Sequence, residues 1–496
     1  MLPLGDTTTS IAIGTPKHFP AVPPEIALVV PEVGPHLESD GTICFTSKEG
    51  LVLNAADPIG IIVECVAMAA SALAKARGPQ RGHEFLAELG AHWRSLPRAM
   101  RIDSSVSPGA TQRKIVALFR KHDLVGVADS SASFVASRLA VSGLTVRNAV
   151  YVPVDDVHAE SFEPQALLSP SGLRERCGLS DPDLIVVLGI SRGNLGRVLV
   201  GARLEGDRLT PLALVRRDRD YLAPRGGADD SLANFRVAVV GCGAVGGFIA
   251  MSLARAGVGR LTLVDPDTFG PENAYRHALG LARGGQSKAT SIRDEILRTT
   301  PHVEVEARSE RLEDLSRTAP NEFDKYNMVV CATGAPNIEL DFNARNWVRV
   351  GPPVVHAWLE PLGVGRHLLV ANPRAPSPRG CLACLYRREE DDAGVNRAAF
   401  AWNDGVYTRD LDGCGTQFTP FAAVDAEQLA CEVTRASLRL LHAPQSASWL
   451  SSWKGDARVF KAQGFRLTTR YNLSAAALEQ TEDFALIECL VCGARS

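Results

Sequence analysis

A glycine-rich turn between a predicted strand and a predicted helix constrains the fold of this chain more than any other feature. The apolar strand Arg236–Val240 runs directly into Gly241-Cys-Gly243-Ala-Val-Gly246, an amphipathic helix follows, and a second apolar strand ends at Asp265. In this arrangement the glycines permit a tight turn, close approach of a ligand's phosphates, and packing of the helix on the strand. The helix N-terminus can face an anion, and the acid can bind ribose hydroxyls. The pattern predicts a mostly parallel α/β sheet with a nucleotide site, the alternative being a turn that binds nothing.

An amide and two cations downstream indicate which nucleotide would bind. Asn273, Arg276 and Lys288 lie in the loop and helix that follow Asp265. Cleavage of a triphosphate concentrates charge that Arg and Lys must neutralise, whereas a dinucleotide needs no such cations beyond its pyrophosphate. Each cation taken singly is typical of a solvated surface, but their order and spacing favour a triphosphate.

The stretch from about residue 220 to residue 496 resembles the ThiF-type adenylating fold of ubiquitin-activating enzymes and of the thiamine and molybdopterin sulfur-carrier adenylyltransferases. The likeness rests on the glycine turn, an Asp-x-Asp strand end, Asn273-Ala-Tyr-Arg276 and Lys288. It implies a Rossmann-like adenylation domain in which Asp265 holds ribose, and in which Asn273, Arg276 and Lys288 hold the phosphates of ATP. The run from Asn273 looks most like bacterial activating domains that are fused to conjugating domains.

The same resemblance has implications for oligomeric state and for Mg²⁺. Arg225 matches an Arg that relatives insert into the partner subunit's site, which implies an obligatory homodimer. Many relatives hold Mg²⁺ with an Asp in a Thr-Asp-Asn run, where this chain has Ala332-Thr-Gly334. We therefore expect Mg²⁺ to be held by ATP, water and Asp267.

Two Cys-x-x-Cys pairs predict a metal site. The pairs are Cys381 with Cys384 and Cys489 with Cys492. Each pair can place two thiolates on one ion, and together they complete a tetrahedral zinc site that leaves no open position for catalysis. The expected role is to attach the C-terminal residues to the sheet, and the alternative is two unconnected pairs of free thiols.

Cys414 is the candidate nucleophile of this domain. It lies between two glycines, shortly before a helix predicted to begin at Pro420. The glycines make the thiol accessible, and the helix N-terminus favours its thiolate. In the activating family a thioester-forming Cys lies on a loop in this part of the domain, which implies that role for Cys414; the alternative is an ordinary loop cysteine.

The N-terminal stretch resembles the core of a ubiquitin-conjugating enzyme. A Phe-Pro-Ala-Val-Pro-Pro run begins at Phe19, a Gly-Thr-Ile-Cys run ends at Cys44, and a long apolar helix follows. The resemblance implies a truncated α+β conjugating domain with Cys44 as the transfer cysteine, the alternative being a half-buried strand-end thiol. Because a Pro-His-Leu run replaces the family's His-Pro-Asn turn, His36 is the expected substitute donor to the oxyanion.

Composition excludes several classes of protein. Lys and Arg total 53 against 56 Asp and Glu, so the net charge of −3 provides no basic field for nucleic acid or an anionic membrane. An odd count of 11 cysteines argues for reduced thiols and metal ligands. The first residues do not form a secretory signal, and the apolar run Ile59–Ala74 carries Glu64 and favours a buried helix over a membrane span. We therefore expect a cytoplasmic protein.

The length of 496 residues predicts about three domains. They are a conjugating-like domain over 1–104, a mixed α/β linker or docking domain over 105–228, and the adenylation domain with its zinc site over 229–496. The clearest strands of the middle part are Leu184–Leu188 and Arg197–Val200, and the Gly/Asp-rich run Arg225–Asp230 marks the second boundary.

The combined hypothesis is a conjugating–activating fusion similar to those of bacterial antiphage operons. ATP would adenylate the C-terminal carboxylate of a small protein, either a ubiquitin-like protein or a nucleotidyltransferase that makes cyclic oligonucleotides. The acyl group would pass to Cys414, then to Cys44 and on to an amine. The alternatives are a sulfur-carrier adenylyltransferase without conjugation, a non-catalytic nucleotide-binding scaffold, and an NAD-dependent oxidoreductase. The two cysteine pairs and the cations Arg276 and Lys288 argue against the oxidoreductase.

Overall fold

The computed structural model describes most of the chain as two compact units, Met1–Leu222 and Ala223–Ser496. The described residues are 2–4, 7–46, 50–133, 143–179, 181–386, 396–402, 407–409 and 418–493.

Short antiparallel strand pairs and two helices form the first part of the first unit. The elements are β1 (Leu2–Leu4) paired with β2 (Thr7–Thr9), β3 (Ile11–Gly14) paired with β4 (Glu25–Leu28), α1 (Pro58–Arg77) and α2 (Arg81–Ser95). Ile26 and Leu28 of β4 pack with Ile43 and with the buried face of α1 in one apolar core.

Helix α1 follows Asp57 because that residue caps it. The Asp57 carboxylate accepts a hydrogen bond from the Gly60 amide at 2.9 Å, and Pro58 suits the first turn because it has no N–H to leave unpaired. The helix buries one stripe, Ile61, Cys65, Ala69, Ala72, Leu73 and Ala76. The helix is long and apolar enough to cross a membrane, and 33% of the residues in its most apolar stretch are buried inside the structure. The expected buried helix is therefore buried on one face.

A closed seven-stranded barrel makes up the rest of the first unit. The strands are β5 (Met100–Ser105), β6 (Arg113–Arg120), β7 (Asp123–Ala128), β8 (Leu144–Val154), β9 (Asp183–Ser191), β10 (Arg197–Glu205) and β11 (Arg208–Arg216), in the order β10-β11-β5-β7-β6-β8-β9. Helix α3 (Pro170–Cys177) precedes β9, and α4 (Arg219–Arg225) follows the barrel.

The barrel consists mainly of strands, whereas we predict a mixed α/β domain over residues 105–228. Leu184–Leu188 and Arg197–Val200 do form strands, as the longer β9 and β10. Strand β9 is apolar along its length because Ile185 and Val187 face one core while Val186 and Leu188 face another that includes residues of α2. A strand buried on both faces loses the alternating pattern that identifies strands in a sequence.

The predicted boundary near residue 104 falls inside β5. This strand pairs in parallel with β11 and with β7 as part of the barrel. Trp93 of α2 also donates a hydrogen bond from Nε1 to the Gly201 carbonyl of β10 at 2.9 Å. The first two predicted segments therefore lie in one compact unit.

The second unit is a doubly wound sheet with the expected glycine turn. Its strands are β12 (Arg236–Val240), β13 (Arg260–Val264), β14 (Glu304–Arg308), β15 (Met328–Cys331), β16 (Val354–Leu359), β17 (Gly365–Ala371) and β18 (Trp449–Lys454), in the order β14-β13-β12-β15-β16-β17-β18. The helices are α5 (Gly246–Ala256), α6 (Lys288–Thr299), α7 (Leu312–Thr318), α8 (Pro336–Val348), α9 (Ala423–His442), α10 (Ala457–Ala462) and α11 (Ala475–Leu478). The strands from β14 to β16 are parallel and the last two are antiparallel, which confirms the predicted Rossmann-like class.

Apolar cores on both faces hold this sheet. Val237 and Val239 pack with α5, α6 and α9, whereas Ala238 and Val240 pack with α7 and with Phe342 of α8. This alternation is what a strand covered on both sides requires.

Candidate active site

A cavity of about 600 Å³ opens at the carboxyl ends of β12, β15 and β16. The strand order reverses between β12 and β15, and open α/β sheets bind ligands at such a reversal. Part of the cavity wall carries Asn273, Arg276 and Lys288, and another part carries aromatic side chains that include Trp358 and Phe421. The site therefore combines an anion-binding region with an apolar region.

The glycine turn has no room for larger residues at two of its positions. Gly241 has a φ of 86°, and a Cβ there would lie 2.5 Å from the Ala332 carbonyl oxygen. A Cβ on Gly246 would lie 1.7 Å from the Gly241 carbonyl oxygen. Gly243 lines the cavity and has no atom within 4 Å of its Cβ position. The first two glycines shape the turn, whereas Gly243 keeps the cavity open.

Asp265 ties the end of β13 to the glycine turn. It is 5% exposed, and it accepts hydrogen bonds from the Cys242 amide at 2.6 Å and from the Asp267 amide at 2.8 Å. Burial raises the pKa of this carboxyl, while the two amides lower it. Asp265 is not among the described residues that line the cavity, so the contacts present give it a role in shaping the turn.

Lys288 and Asp267 form an ion pair at the edge of the cavity. The Lys288 Nζ lies 2.9 Å from an Asp267 oxygen, and its amide donates to the Asp267 carbonyl at 3.0 Å. Lys288 is the first residue of α6, which Ser287 caps by accepting a hydrogen bond from the Thr290 amide. The helix start thus fixes the backbone of Lys288, and the ion pair with Asp267 holds its ammonium group.

Asn273 and Arg276 complete the polar wall. The Asn273 Nδ2 donates to the Gly270 carbonyl at 3.3 Å, and the Arg276 guanidinium lies 5.3 Å from the centre of the Phe421 ring. Among the described residues, no carboxylate pairs with Arg276. Its charge is therefore available to an anionic ligand.

The four cysteines of the two pairs come together in the structure. Their sulfur atoms lie within 4.8 Å of one another, with Cys381 Sγ 3.8 Å from Cys489 Sγ and Cys384 Sγ 3.4 Å from Cys492 Sγ. The cluster packs on β17 and β18. Four thiolates at this spacing can hold one tetrahedral metal ion.

Cys44 lies opposite His36 in a tight hairpin. The Cys44 amide donates to the His36 carbonyl at 2.8 Å, and the thiol is exposed. Partial burial raises the pKa of the thiol, and the carboxylates of Glu88 and Glu38 raise it further. The surroundings of Cys44 thus oppose its thiolate form.

The His36 ring is already occupied, which corrects its expected role as an oxyanion donor. Its Nε2 lies 2.9 Å from Glu84 and its Nδ1 lies 2.8 Å from Glu88. The two acids are one turn apart on α2 and enclose the imidazole. They raise the pKa of His36, and His36 lowers the pKa of Glu88.

Two family models match separate parts of the chain. Residues 218–459 match the ThiF family, and residues 3–101 match prokaryotic E2 family B. Most of the second unit lies within the ThiF match, and we call this unit the ThiF domain.

Individual relatives agree with this assignment. Cap2 of Pseudomonas aeruginosa, an ATP-dependent ubiquitin transferase-like protein, is 25% identical and aligns over 83% of this chain and 80% of its own length. Molybdopterin-synthase adenylyltransferase of Salmonella typhimurium is 41% identical over 32% of this chain and 61% of its own length. The chain spans about half, 51%, of protein y4oA of Sinorhizobium fredii, at 26% identity. A crystal structure of Escherichia coli MccB with ATP covers 53% of this chain and 68% of its own, at 16% identity and a TM-score of 0.34. The family match and the first two relatives agree with the resemblance to adenylating domains that the sequence predicts.

The ThiF domain contains a carboxylate that the sequence analysis missed. Glu339 lines the cavity at the start of α8 and is 7% exposed. It accepts hydrogen bonds from Thr333 and from His356 Nδ1. A signal was available: Glu339, Asn343 and Asn346 are polar at helical spacing and share the buried face of α8.

The structure leaves the roles of two predicted residues, Cys414 and Arg225, untested. Cys414 falls outside the described residues, and α9 begins at Ala423 and not at Pro420 as we predict. Arg225 is the last residue of α4. The roles of Cys414 and Arg225 stay predictions.

Proposed function

We propose that this protein uses ATP to adenylate the C-terminal carboxylate of a small partner polypeptide, and that it then carries the acyl group as a thioester to an amine. The observation that carries the first step is the cavity at the strand reversal of the ThiF domain, in which Arg276, Lys288 and Asn273 share a wall with the glycine turn. Such a wall suits a triphosphate, because cations and backbone amides can neutralise charge that builds up during its cleavage.

In the proposed activation step, a carboxylate oxygen of the partner attacks the α-phosphorus of ATP and pyrophosphate leaves. Lys288 and Arg276 stabilise the negative charge on the phosphates, and Asn273 donates to a phosphate oxygen. Asp265 and the glycines hold the turn against the nucleotide, with Asp265 as the candidate ribose ligand. Mg²⁺ bound with ATP would reduce the charge of the triphosphate.

In the proposed transfer steps, the Cys414 sulfur attacks the acyl carbon and AMP leaves. The acyl group then moves to Cys44 by thioester exchange and from there to an amine, which forms an amide and releases the Cys44 thiol. Adenylation makes a poor electrophile reactive, and the thioester preserves that reactivity after AMP departs. The match of residues 3–101 to prokaryotic E2 family B and the length shared with Cap2 support this order.

The proposal extends to zinc, to cellular location and to partners. The four clustered cysteines fit a structural zinc ion, which would fix the C-terminal residues to the sheet. We place the protein in the cytoplasm, where thiols stay reduced. The partner is a ubiquitin-like protein or a nucleotidyltransferase that makes cyclic oligonucleotides, and the process is antiphage defence.

Pyrophosphate exchange tests the activation step. With a correct partner, labelled pyrophosphate should enter ATP, and Lys288→Ala should abolish the exchange. Cys44→Ala should retain the exchange and lose the conjugate, while Cys414→Ala should retain the exchange and lose both thioesters. Conjugate formation by both cysteine variants would overturn the relay.

A homodimer is part of the same proposal, with Arg225 of one copy acting in the site of the other. The variants Arg225→Ala and Lys288→Ala should each lack exchange activity alone. When they are mixed, one site of each heterodimer has both residues and activity should return. Mixtures that stay inactive while subunits exchange would contradict the shared site.

A sulfur-carrier adenylyltransferase without conjugation is the second candidate. Its specific support is the raised pKa of the Cys44 thiol beside two carboxylates, together with the 41% identity to molybdopterin-synthase adenylyltransferase. Full activity of Cys44→Ser on a partner protein, with no amide-linked product from the wild type, would favour this candidate.

A further inference from the structure

We infer that Glu339 is the protein ligand of the divalent cation that accompanies ATP, and that His356 orients it. This inference rests on the proposed use of ATP. It assigns to Glu339 a role that we expected for Asp267 from the sequence.

Glu339 is in the right place for such a ligand. Among the described residues that line the cavity it is the only carboxylate, and it shares the wall with Thr333, Lys288 and Arg276. An anionic side chain facing a polyphosphate is repulsive unless a cation lies between them. Mg²⁺ in nucleotide sites is held in this way, by one or two carboxylates together with phosphate oxygens.

The hydrogen bonds of Glu339 fix its carboxylate and leave part of it unoccupied. One oxygen accepts from the Thr333 amide at 3.0 Å and from the Thr333 hydroxyl at 2.7 Å, and the other accepts from His356 Nδ1 at 2.7 Å. These are three donors for about four lone-pair positions, so the second oxygen keeps one position for a cation. The three bonds thus hold the carboxylate in a fixed direction with one position left for a metal ion.

His356 has the character of an orienting residue. Its side chain is fully buried on β16, and its Nε2 has no hydrogen-bond partner within the described part of the chain. Among the described residues, the only polar contact of the ring is therefore the one to Glu339, and a buried nitrogen without a partner is costly. Histidine and hydroxyl donors behind a metal-binding carboxylate typically set its direction and the affinity of the metal.

Asp267 is less suited to this role. Its carboxylate is paired with Lys288 at 2.9 Å, and it is not among the described residues of the cavity wall. A cation at Asp267 would have to share this carboxylate with the ammonium that the triphosphate itself requires.

Binding of Mn²⁺ in the presence of a non-hydrolysable ATP analogue tests the inference without catalysis. In electron paramagnetic resonance titrations of the full chain, Glu339→Gln should weaken Mn²⁺ binding to the protein–nucleotide complex by at least about tenfold, and His356→Gln should weaken it less. Asp341→Asn, a partly exposed carboxylate on the same helix as Glu339 that pairs with Arg345 at 2.9 Å, is the matched control and should behave as wild type. Unchanged Mn²⁺ affinity in Glu339→Gln, or a larger loss in Asp267→Asn, would overturn the inference.

Metal-directed cleavage gives a second readout that needs no substitution. Fe²⁺ bound with the same analogue, treated with ascorbate and peroxide, should cut the wild-type backbone near residues 333–339. Cuts confined to residues 265–267 would overturn the assignment. Failure of the analogue to bind at all would count against the proposed function, whereas nucleotide binding with metal placed elsewhere would count against Glu339 alone.

Discussion

Replacing Gly246 and Gly243 by alanine should separate the shape of the glycine turn from its contact with the ligand. At Gly246 the new Cβ would lie 1.7 Å from the Gly241 carbonyl oxygen and 2.9 Å from its carbon. Both atoms belong to the backbone, so no side-chain rotation relieves the clash. Forcing extra atoms into a packed site costs about 1–3 kcal/mol, and a backbone clash belongs at the upper end of that range. For a domain of this size, about 3 kcal/mol corresponds to a fall in Tm of roughly 6–12 °C.

Gly243→Ala is the matched control for stability. No atom lies within 4 Å of its Cβ position, so the Tm should change by less than about 4 °C. The added methyl group would point into space that the phosphates need, because Gly243 lines the cavity. We therefore expect Gly243→Ala to lose affinity for a fluorescent ATP analogue while it keeps its stability, and Gly246→Ala to lose both.

Calorimetry and analogue titration on the same preparations check this pair. A Gly246→Ala protein as stable as wild type would refute the reasoning about the turn. A Gly243→Ala protein that binds the analogue normally would refute the assignment of the phosphates to this wall.

Three further predictions concern other parts of the two units. Asp265→Asn should cost about 1–3 kcal/mol of unfolding free energy in chemical denaturation and weaken ATP binding, because the new side chain has one acceptor oxygen and either the Cys242 amide or the Asp267 amide loses its partner. Cys489→Ser should release bound metal, measured by inductively coupled plasma mass spectrometry, and lower the Tm; equal metal content in the variant would show that the cluster is not the metal site. His36→Ala should destabilise the first unit most between about pH 4.5 and 6.5. The raised pKa of His36 stabilises the folded protein fully below 6.5, the ordinary pKa of histidine, and the lowered pKa of Glu88 does so above 4.5, the ordinary pKa of glutamate. That loss should shrink as the pH rises through the raised pKa of His36, and an effect that grows in alkaline solution would contradict the ion-pair account.

The alternation of strands, glycines and helices in the second unit could be predicted because each element has a local cause. Val237–Val240 is apolar throughout since the sheet is covered on both faces, and Gly241 and Gly246 are required by backbone contacts within a few residues of the turn. Both the apolar strand and the glycines depend on residues that are close in the sequence, so periodicity and residue type predict them.

The barrel could not be predicted in the same way. Its closure depends on the pairing of β9 with β10 and of β5 with both β7 and β11. The strands β5 and β11 are more than 100 residues apart in the sequence. The apolar run of β9 belongs to two cores at once, which hides its alternation. Only the completed sheet decides which side of each strand is inside.

The candidate site shows the same division between local and long-range causes. By itself, the sequence determined the glycine turn, the cations that follow it and the two cysteine pairs, because short spacings along the chain control which groups one turn brings together. The tertiary structure alone decided that Glu339 and His356 meet behind the cavity, that Cys381 lies beside Cys489, and that Glu84 and Glu88 occupy the ring of His36. These neighbours come from separate strands and helices, and a hydrogen bond or a metal site depends on ångström-scale distances that chain spacing does not contain.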